Sequence, residues 1–501
     1  MESGTLPSSS TYKERMRMKR TITLDDCMKI ATTVYEIPRS FDPAMRVSAR
    51  VFVDDTALRN IIDELSLLQI VNVATLPGIV KHAYAMPDIH QGYGFPIGGV
   101  AATNLNAEGI ISPGGIGYDI NCGVRLLRIA TNTHDIKRHL PALAKAINAA
   151  VPSGLGRGGN YKLTTEQMNA ILTGGAPALL NNHGMGKPED ILYCESEGHS
   201  SVADAQCISN HAKSRAKDQL GTLGSGNHFI EIQRVAEIYD QEAARIFGLE
   251  QDMITVMIHC GSRGLGHQTC TDYVQRMVLK LDSWNINLPD RELACAPFHS
   301  PEGQEYYHAM HAAANFAWAN RHTIGHAVRT SCAAILGRSI PVDTVYDISH
   351  NIGKRETHLV DNVPMDLLIH RKGATRAFPA GHPEVPIPYG TVGHPVLIPG
   401  TMGTASYVMV GTSHNEAFAS CCHGAGRIMS RNEAKQKMSG RALRKDLEHR
   451  GIIVLCHSDN ELAEEAPFAY KNIHNVIDIV EQSQLARKVA RVEPLAVIKG
   501  G

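Results

Sequence analysis

No apolar run reaches the length of about 18 residues that a membrane-spanning helix requires, so the 501-residue chain is not built to cross a bilayer that way. Net charge is also nearly missing. Against 49 Lys and Arg stand 50 Asp and Glu, leaving −1, so bulk attraction cannot coat a polyanion and any such ligand must meet a local patch. The eleven cysteines are odd in number and never fall in CxxC spacing, and no apolar signal core precedes them. These features argue against a disulfide framework and favour a reducing compartment. The cytoplasm is the expected location, with nuclear or organellar placement as the alternatives. No repeat of 20 to 50 residues is visible, which argues against solenoids and propellers. Neither a GxGxxG fingerprint in a βαβ setting nor a Walker A lysine is found.

Histidine, by contrast, is plentiful: there are 25, enough to prompt a search for metal ligands. Residues 1–34 begin with a Ser- and Arg-bearing stretch without an apolar face, and read as a disordered basic arm rather than a transit peptide. Val47–Val53 alternates as a strand, while Thr56–Leu68, Asp135–Val151 and Tyr306–Leu336 carry helical spacing. The apolar runs 254–258 and 345–348 end at His259 and at Ser349-His350-Asn351, so two strands are expected to deliver histidines at their ends. Glycine-rich turns recur along the whole length without a linker. The expectation is therefore one compact α/β domain. The polar segment 184–210 receives no assignment.

Five clusters could carry chemistry. In SPGGIGYDINCGVR (112–125), Asp119 and Cys122 stand three apart in a flexible turn, a mixed hard and soft pair suited to Mn²⁺, Fe²⁺ or Zn²⁺. A buried cysteine beside a turn-stabilising aspartate is the plainer alternative. GTLGSGNHFIEI (221–232) offers backbone N–H groups for phosphate and places Asn227 and His228 at a strand mouth; a tight turn with a satisfied histidine would look the same. With His259 and His350 there are five ligand-type residues at element ends, the number a two-metal site with one shared ligand needs. In SCCHGAGRIMSR (420–431), His423 has small neighbours that would admit a bulky group. Arg427 and Arg431 fall four apart and offer a fork for phosphate, which suggests a covalent phosphoryl or nucleotidyl histidine. Lys213, Arg215, Arg263, Arg371, Lys372 and Arg376 add cations near these clusters, pointing to a focused anionic ligand or to an ordinary basic surface.

Taken together, MPDIHQGYGFPIGG (86–99), the 112–125 and 221–232 segments, HCGSRGLGHQ (259–268), YDISHNI (346–352), HRKGATRAFP (370–379), PGTMGTASYV (399–408), CHGAGR (422–427) and AVIKG (496–500) resemble, in order, the RtcB family. Its members are GTP-dependent RNA ligases that join 3′-phosphate or 2′,3′-cyclic-phosphate ends to 5′-hydroxyl ends, as in tRNA splicing and RNA repair. The resemblance covers residues from about 35 onward and implies a single compact mixed α/β domain peculiar to that family over 35–501, with a central metal-containing cleft. The first 34 are read as separable from the ligation chemistry. It implies two Mn²⁺ ions on Asp119, Cys122, His228, His259 and His350, with Cys122 bridging. It makes His423 the residue that GTP guanylylates and Asp88 the carboxylate that orients it. Guanylate contacts would fall on Asn227, His228, Phe229, Ile230, Glu231, His350, Asn351, Pro399, Gly400, Thr401, Met402, Ser406, His423, Gly424, Ala425, Gly426, Tyr470 and Lys499. RNA phosphates would be held by Arg263, Lys372, Arg427 and Arg431. The expected partners are RNA, notably tRNA halves, and an archease-type activator or multi-subunit ligase complex. Two other classes compete. A Mn-dependent phosphoesterase could use the same five ligands, but has no evident need for CHGAGR and Lys499. A non-catalytic RNA-binding subunit would have no reason to keep every metal-type residue.

Overall fold

A computed structural model describes residues 21–154 and 158–500. Two large sheets organise the chain. The first has seven strands in the order Met28–Ala31, Val34–Ile37, Ser48–Phe52, His82–His90, Ile97–Asn104, Val363–Lys372 and Asn351–Val360. The second has eight: Val342–Ser349, Gly123–Asn132, Met253–Cys260, Phe229–Ile238, Ala486–Lys499, Ser406–Gly411 and Pro395–Ile398 in sequence across the sheet, with Ile453–Cys456 joined in parallel to Ala486–Lys499. Apart from that pair and Ser48–Phe52 beside His82–His90, the pairings in both sheets are antiparallel. The mixed α/β class read from the sequence is therefore the class observed. Among the described residues no helix is long and apolar enough to cross a membrane.

The register of the second sheet builds the site. Ser349 pairs with Gly123, Gly123 with Cys260, His259 with Phe229, and Phe229 with Lys499. Five neighbouring strands thus end in one row, and the residues at or just beyond those ends are His350, Cys122, His259, His228 and Lys499. Gly123 is required there, because a Cβ would lie 2.3 Å from the Ile348 carbonyl oxygen.

The helix Pro301–Leu336 crosses behind this row. Ser300 caps it by accepting the Gly303 N–H, Pro301 fits its first turn, and Gly337 with φ 102° ends it. Its first half packs Ala312, Phe316 and Trp318 among helices, while Ile324, Val328 and Cys332 pack on the second sheet. Residues 309–325 of this helix are buried on every side, its polar ones included, which makes it a core element, and each fully buried large apolar side chain contributes about 1.5–3 kcal/mol.

Two expectations about elements change. Thr56–Leu68 is not one helix but two, Asp55–Ile61 and Leu65–Val73, and Asp135–Val151 likewise divides into Thr133–Ile136 and Leu140–Ala150, with Pro141 opening the second. The proposed arm, 1–34, also needs correction. Residues 1–20 lie outside the described residues, but 21–34 belong to the fold. They supply the strand Met28–Ala31 and bury Ile22, Cys27, Thr33 and Val34, and Thr33 hydrogen-bonds Ser483 at 2.7 Å. Deleting residues 1–34 should therefore lower the Tm by about 5 °C in scanning calorimetry; an unchanged Tm would return this segment to the arm.

Candidate metal centre and its pocket

The turn 112–122 reaches the row of strand ends through Asn121, a non-glycine residue in the left-handed region (φ 53°). Asn121 is held in place: its backbone N–H donates to the Asn351 carbonyl at 2.6 Å and its side chain donates to the Ala314 carbonyl at 2.7 Å. The next residue, Cys122, receives two imidazoles, its Sγ lying 3.4 Å from His228 Nε2 and 3.3 Å from His259 Nε2. His259 Nε2 is also 3.3 Å from His350 Nε2, and His228 Nε2 is 2.8 Å from Asp119 Oδ2. These atoms form two trios, Asp119/Cys122/His228 and Cys122/His259/His350, in each of which all donor atoms lie within 4.8 Å of one another. Cys122 belongs to both.

The chemistry of this donor set fits divalent cations. Burial, reinforced by neighbouring imidazoles, pushes His259 and His350 well below the usual histidine range, which keeps both neutral with a free lone pair. Burial and the Asp119 carboxylate push the Cys122 thiol up to about 12, so only a nearby cation would stabilise the thiolate. Asp119 is held down to about 2: burial opposes its charge, but His228 beside it and Arg263 outweigh that cost. Thiolate, imidazole and carboxylate together suit Mn²⁺, Fe²⁺ or Zn²⁺ rather than Ca²⁺.

His423 abuts the cluster, its ring centroid 4.7 Å from that of His350. The fully buried Asp88 accepts its Nδ1–H at 2.6 Å and its backbone N–H at 3.2 Å. This leaves Nε2 as the ring nitrogen with a lone pair to offer. Gly426 (φ 74°) lets the loop close on Asp88, since a Cβ would lie 2.2 Å from the Asp88 carbonyl oxygen. His423 opens onto a cavity of about 230 Å³. Of the residues expected around a guanylate, Asn227, Phe229, Pro399, Gly400, Thr401, Met402, His423, Gly424, Ala425, Gly426, Tyr470 and Lys499 line it. His228 and His350 lie in the metal cluster instead.

Four others stand back. Ile230 points to the opposite face of its strand, into the core with Leu223 and Ile258. Asn351 spends its amide on the Asp119 carbonyl and the Gly373 N–H. Ser406 accepts the Gly400 N–H at 3.0 Å and so pins the 399–402 turn. Glu231, pushed up to about 8 by burial, accepts from Gln233.

The cations divide. Arg427 is not on a helix with Arg431: the helix runs Arg431–Lys437, and Arg427 bridges to Tyr470 instead. Its guanidinium serves Glu465, Tyr470 and the Glu464 carbonyl. Lys372 gives its ammonium to the Tyr93 and Phe95 carbonyls and does not line the cavity. Arg371 and Arg376 are buried against Glu356. Arg263 donates to Thr222 at 3.1 Å beside the metal cluster, and Arg431 stays half-exposed at the cavity rim. Sequence reasoning missed Glu465, a buried carboxylate that collects Arg427, Arg431 and Tyr470 and approaches Lys499 at 3.9 Å. It stands in an unremarkable acidic run.

Also missed was the clasp behind the metal cluster. Arg321, fully buried on the long helix, donates to the Asn121 carbonyl at 2.7 Å, to the Cys260 carbonyl at 2.9 Å and to the Asp347 carboxylate at 2.8 Å. Asn320 beside it takes the Thr222 and Gly261 carbonyls and the Gly221 N–H. Each ligand-bearing segment is thus tied to one helix. Arg321→Leu should cost about 3–5 kcal/mol, because Asp347 and two carbonyls lose a buried donor, and should weaken metal binding. Urea unfolding and metal titration would read both; a loss under about 1 kcal/mol would deny the clasp its role.

An Asp/Cys/His cluster able to hold metal, touching a histidine hydrogen-bonded to a buried carboxylate, is the arrangement of a metal-dependent enzyme site. Comparison with known proteins identifies which kind. A family profile described as "RtcB: tRNA-splicing ligase RtcB" matches residues 69–500. The chain is 48% identical over 477 residues to the tRNA-splicing ligase RtcB of Archaeoglobus fulgidus, covering 94% of this chain and 98% of that one. It is 48% identical to that of Thermococcus kodakarensis (93% and 97% covered) and 50% identical to the RNA-splicing ligase RtcB of Mycobacterium tuberculosis (86% and 100%). The chain belongs to the RtcB family of tRNA-splicing ligases and is an RNA ligase. Family and donor cluster together support a metal cofactor.

Proposed function

We propose that the protein joins RNA 3′-phosphate or 2′,3′-cyclic-phosphate ends to 5′-hydroxyl ends at the expense of GTP, with two Mn²⁺ ions held by Asp119, Cys122, His228, His259 and His350, and Cys122 shared between them. The observation that carries the reading is the contact of His423, oriented by Asp88, with the His350 edge of the donor cluster. Bound there, the ions would neutralise charge developing on phosphate oxygens.

The protein's own groups do the rest. Asp88 fixes the proton on Nδ1, so that Nε2 attacks the α-phosphorus of GTP and pyrophosphate leaves. The guanylate then passes to an oxygen of the RNA 3′-phosphate, freeing His423. The 5′-hydroxyl oxygen attacks that phosphorus and GMP departs; a cyclic end is first opened by water. Asn227, Phe229, the 399–402 turn, Tyr470 and Lys499 enclose the nucleotide, and Arg263 and Arg431 are the cations best placed to meet RNA phosphates. Spliced tRNA halves in the cytoplasm are the substrate this reading favours, with an archease-type activator or a ligase complex as partner.

Incubation with Mn²⁺ and GTP radiolabelled on its α-phosphate should leave an acid-labile, alkali-stable label on the protein, absent in His423→Ala. No label on the native protein, together with cleavage of phosphoesters, would overturn the reading in favour of a phosphoesterase.

A further inference from the structure

The strand that carries Asp88 leaves its regular pairing where the carboxylate is presented. His82–His90 pairs Ala85 with Gly99 and next His90 with Ile97, so residues 86–89 stand against Gly98 alone. A bulge of this kind leaves backbone groups outside the ladder, and buried carbonyls must then find donors elsewhere. One side chain serves two of them. The Lys471 ammonium donates to the Ile89 carbonyl at 2.6 Å and to the Pro87 carbonyl at 3.1 Å, one on each side of Asp88. The Asp88 carbonyl itself accepts from Nδ1 of His90 at 2.9 Å. Burial pushes that imidazole down to about 4, so it is neutral and keeps its one proton on the nitrogen facing the carbonyl.

Lys471 is tied to the His423 loop as well. Its backbone N–H donates to the carbonyl of Gly426, the residue that lets this loop close on Asp88, at 2.9 Å. It follows Tyr470, which lines the nucleotide cavity, and precedes Asn472, whose side chain caps the helix Ile473–Gln482 by accepting the His474 N–H at 2.9 Å. Lys471 itself does not line that cavity. It faces a separate depression of about 480 Å³ on the Pro87 side, which it shares with Glu64. Burial pushes its ammonium down to about 8 against the pull of Asp88 and Glu64, so it still carries its charge at pH 7. We infer that Lys471 is a positioning residue for the histidine chemistry: by holding the Pro87 and Ile89 carbonyls it fixes the carboxylate of Asp88 against Nδ1 of His423. The inference rests on the guanylylation of His423 proposed above. Asp88 reaches His423 through two hydrogen bonds, at 2.6 and 3.2 Å, and a slip of the bulge by about 1 Å would break them.

Lys471→Met keeps an unbranched side chain and removes both carbonyl contacts. With Mn²⁺ present, single-turnover labelling of His423 at saturating GTP should slow by about 10–100-fold, the range found for partners that orient a reacting group. The GTP concentration giving half the maximal rate should change by less than about threefold, because Lys471 stands outside the nucleotide cavity. Lys471→Arg, which keeps donors for the carbonyls, should recover most of the rate. Lys471→Gln, which keeps one donor, stands in for Lys471→Met if that variant does not unfold cooperatively. The decisive arm is the double variant: in Asp88→Asn, adding Lys471→Met should slow labelling by less than about threefold, since the group it acts through is already lost. A lysine that only supports the fold would multiply its full effect onto Asp88→Asn and raise the GTP requirement. That result, or Lys471→Met labelling as fast as the native protein, would overturn the inference alone. A native protein that takes no label would remove the guanylylation reading and this inference with it.

Discussion

Cys122→Ala is expected to reduce ligation by about a thousandfold or more and to empty most of the metal site. The magnitude follows from geometry. Outer-shell partners of a metal ligand typically matter by about 10–100-fold, whereas Cys122 contributes its sulfur directly to both donor trios. Without it, His228 and Asp119 are left as a two-donor remnant on one side, and His259 and His350 on the other. Neither remnant closes a site, and both of the proposed ions would be held more weakly. Cys122→Ser should not rescue, because a buried hydroxyl resists ionisation far more than a thiol does. Single-turnover ligation and metal analysis of the purified variant check this. Near-normal ligation at limiting Mn²⁺ would show that Cys122 is not the shared ligand. The fold should survive, since the side chain adds only a small apolar volume to the core.

The second large effect concerns the histidine's tautomer. Asp88→Asn keeps size and shape, but an amide nitrogen turned toward His423 donates where the carboxylate accepted. The imidazole would then move its proton to Nε2, the nitrogen that attacks GTP in the proposed mechanism. In a comparable buried carboxylate–histidine pair this costs about 10⁴-fold, and a loss of about 10³–10⁴-fold in the rate of guanylylation is expected here. Stability should hold or rise, because a buried negative charge, with one oxygen lacking a partner among the described residues, is replaced by a neutral group. The measurement is the rate at which labelled GTP modifies His423, followed to completion. Asp88→Asn labelling as fast as the native protein would remove Asp88 from this role, whereas slow labelling to a normal endpoint is the expected signature.

What the sequence made legible and what it hid differ by physical cause. His259 and His350 could be anticipated because each follows an apolar run, and strands present their ends where sheets open. His228 and Cys122 sit beside glycine-rich turns, which a chain uses where backbones must approach closely. Those cues are local. The arginine pair misled because a spacing of four is helical only if a helix is present. Here the chain is still extended at Arg427 and turns helical at Arg431. Lys372 misled in another way, since a cation in a motif may be spent on carbonyls that no local pattern reveals. The Arg321–Asp347 and Arg427–Glu465 contacts were invisible because partners 26 and 38 residues apart meet only through tertiary structure. The strand within 21–34 was lost to its basic, serine-bearing neighbours, whose composition dominated the reading of the whole segment.

The clasp made by Asn320 and Arg321 bears on how this enzyme would fail in a cell. In many enzymes a site residue can be lost while the scaffold stays intact, giving a stable but inert protein. Here the side chains that space the metal-bearing loops also join the long helix to the second sheet. Damage to that clasp would reach the site and the scaffold together. Alleles altered at Asn320, Arg321 or Asp347 should therefore behave as heat-sensitive, working at low growth temperature and lost to proteolysis at high, whereas those altered at His423 should be equally defective at every temperature.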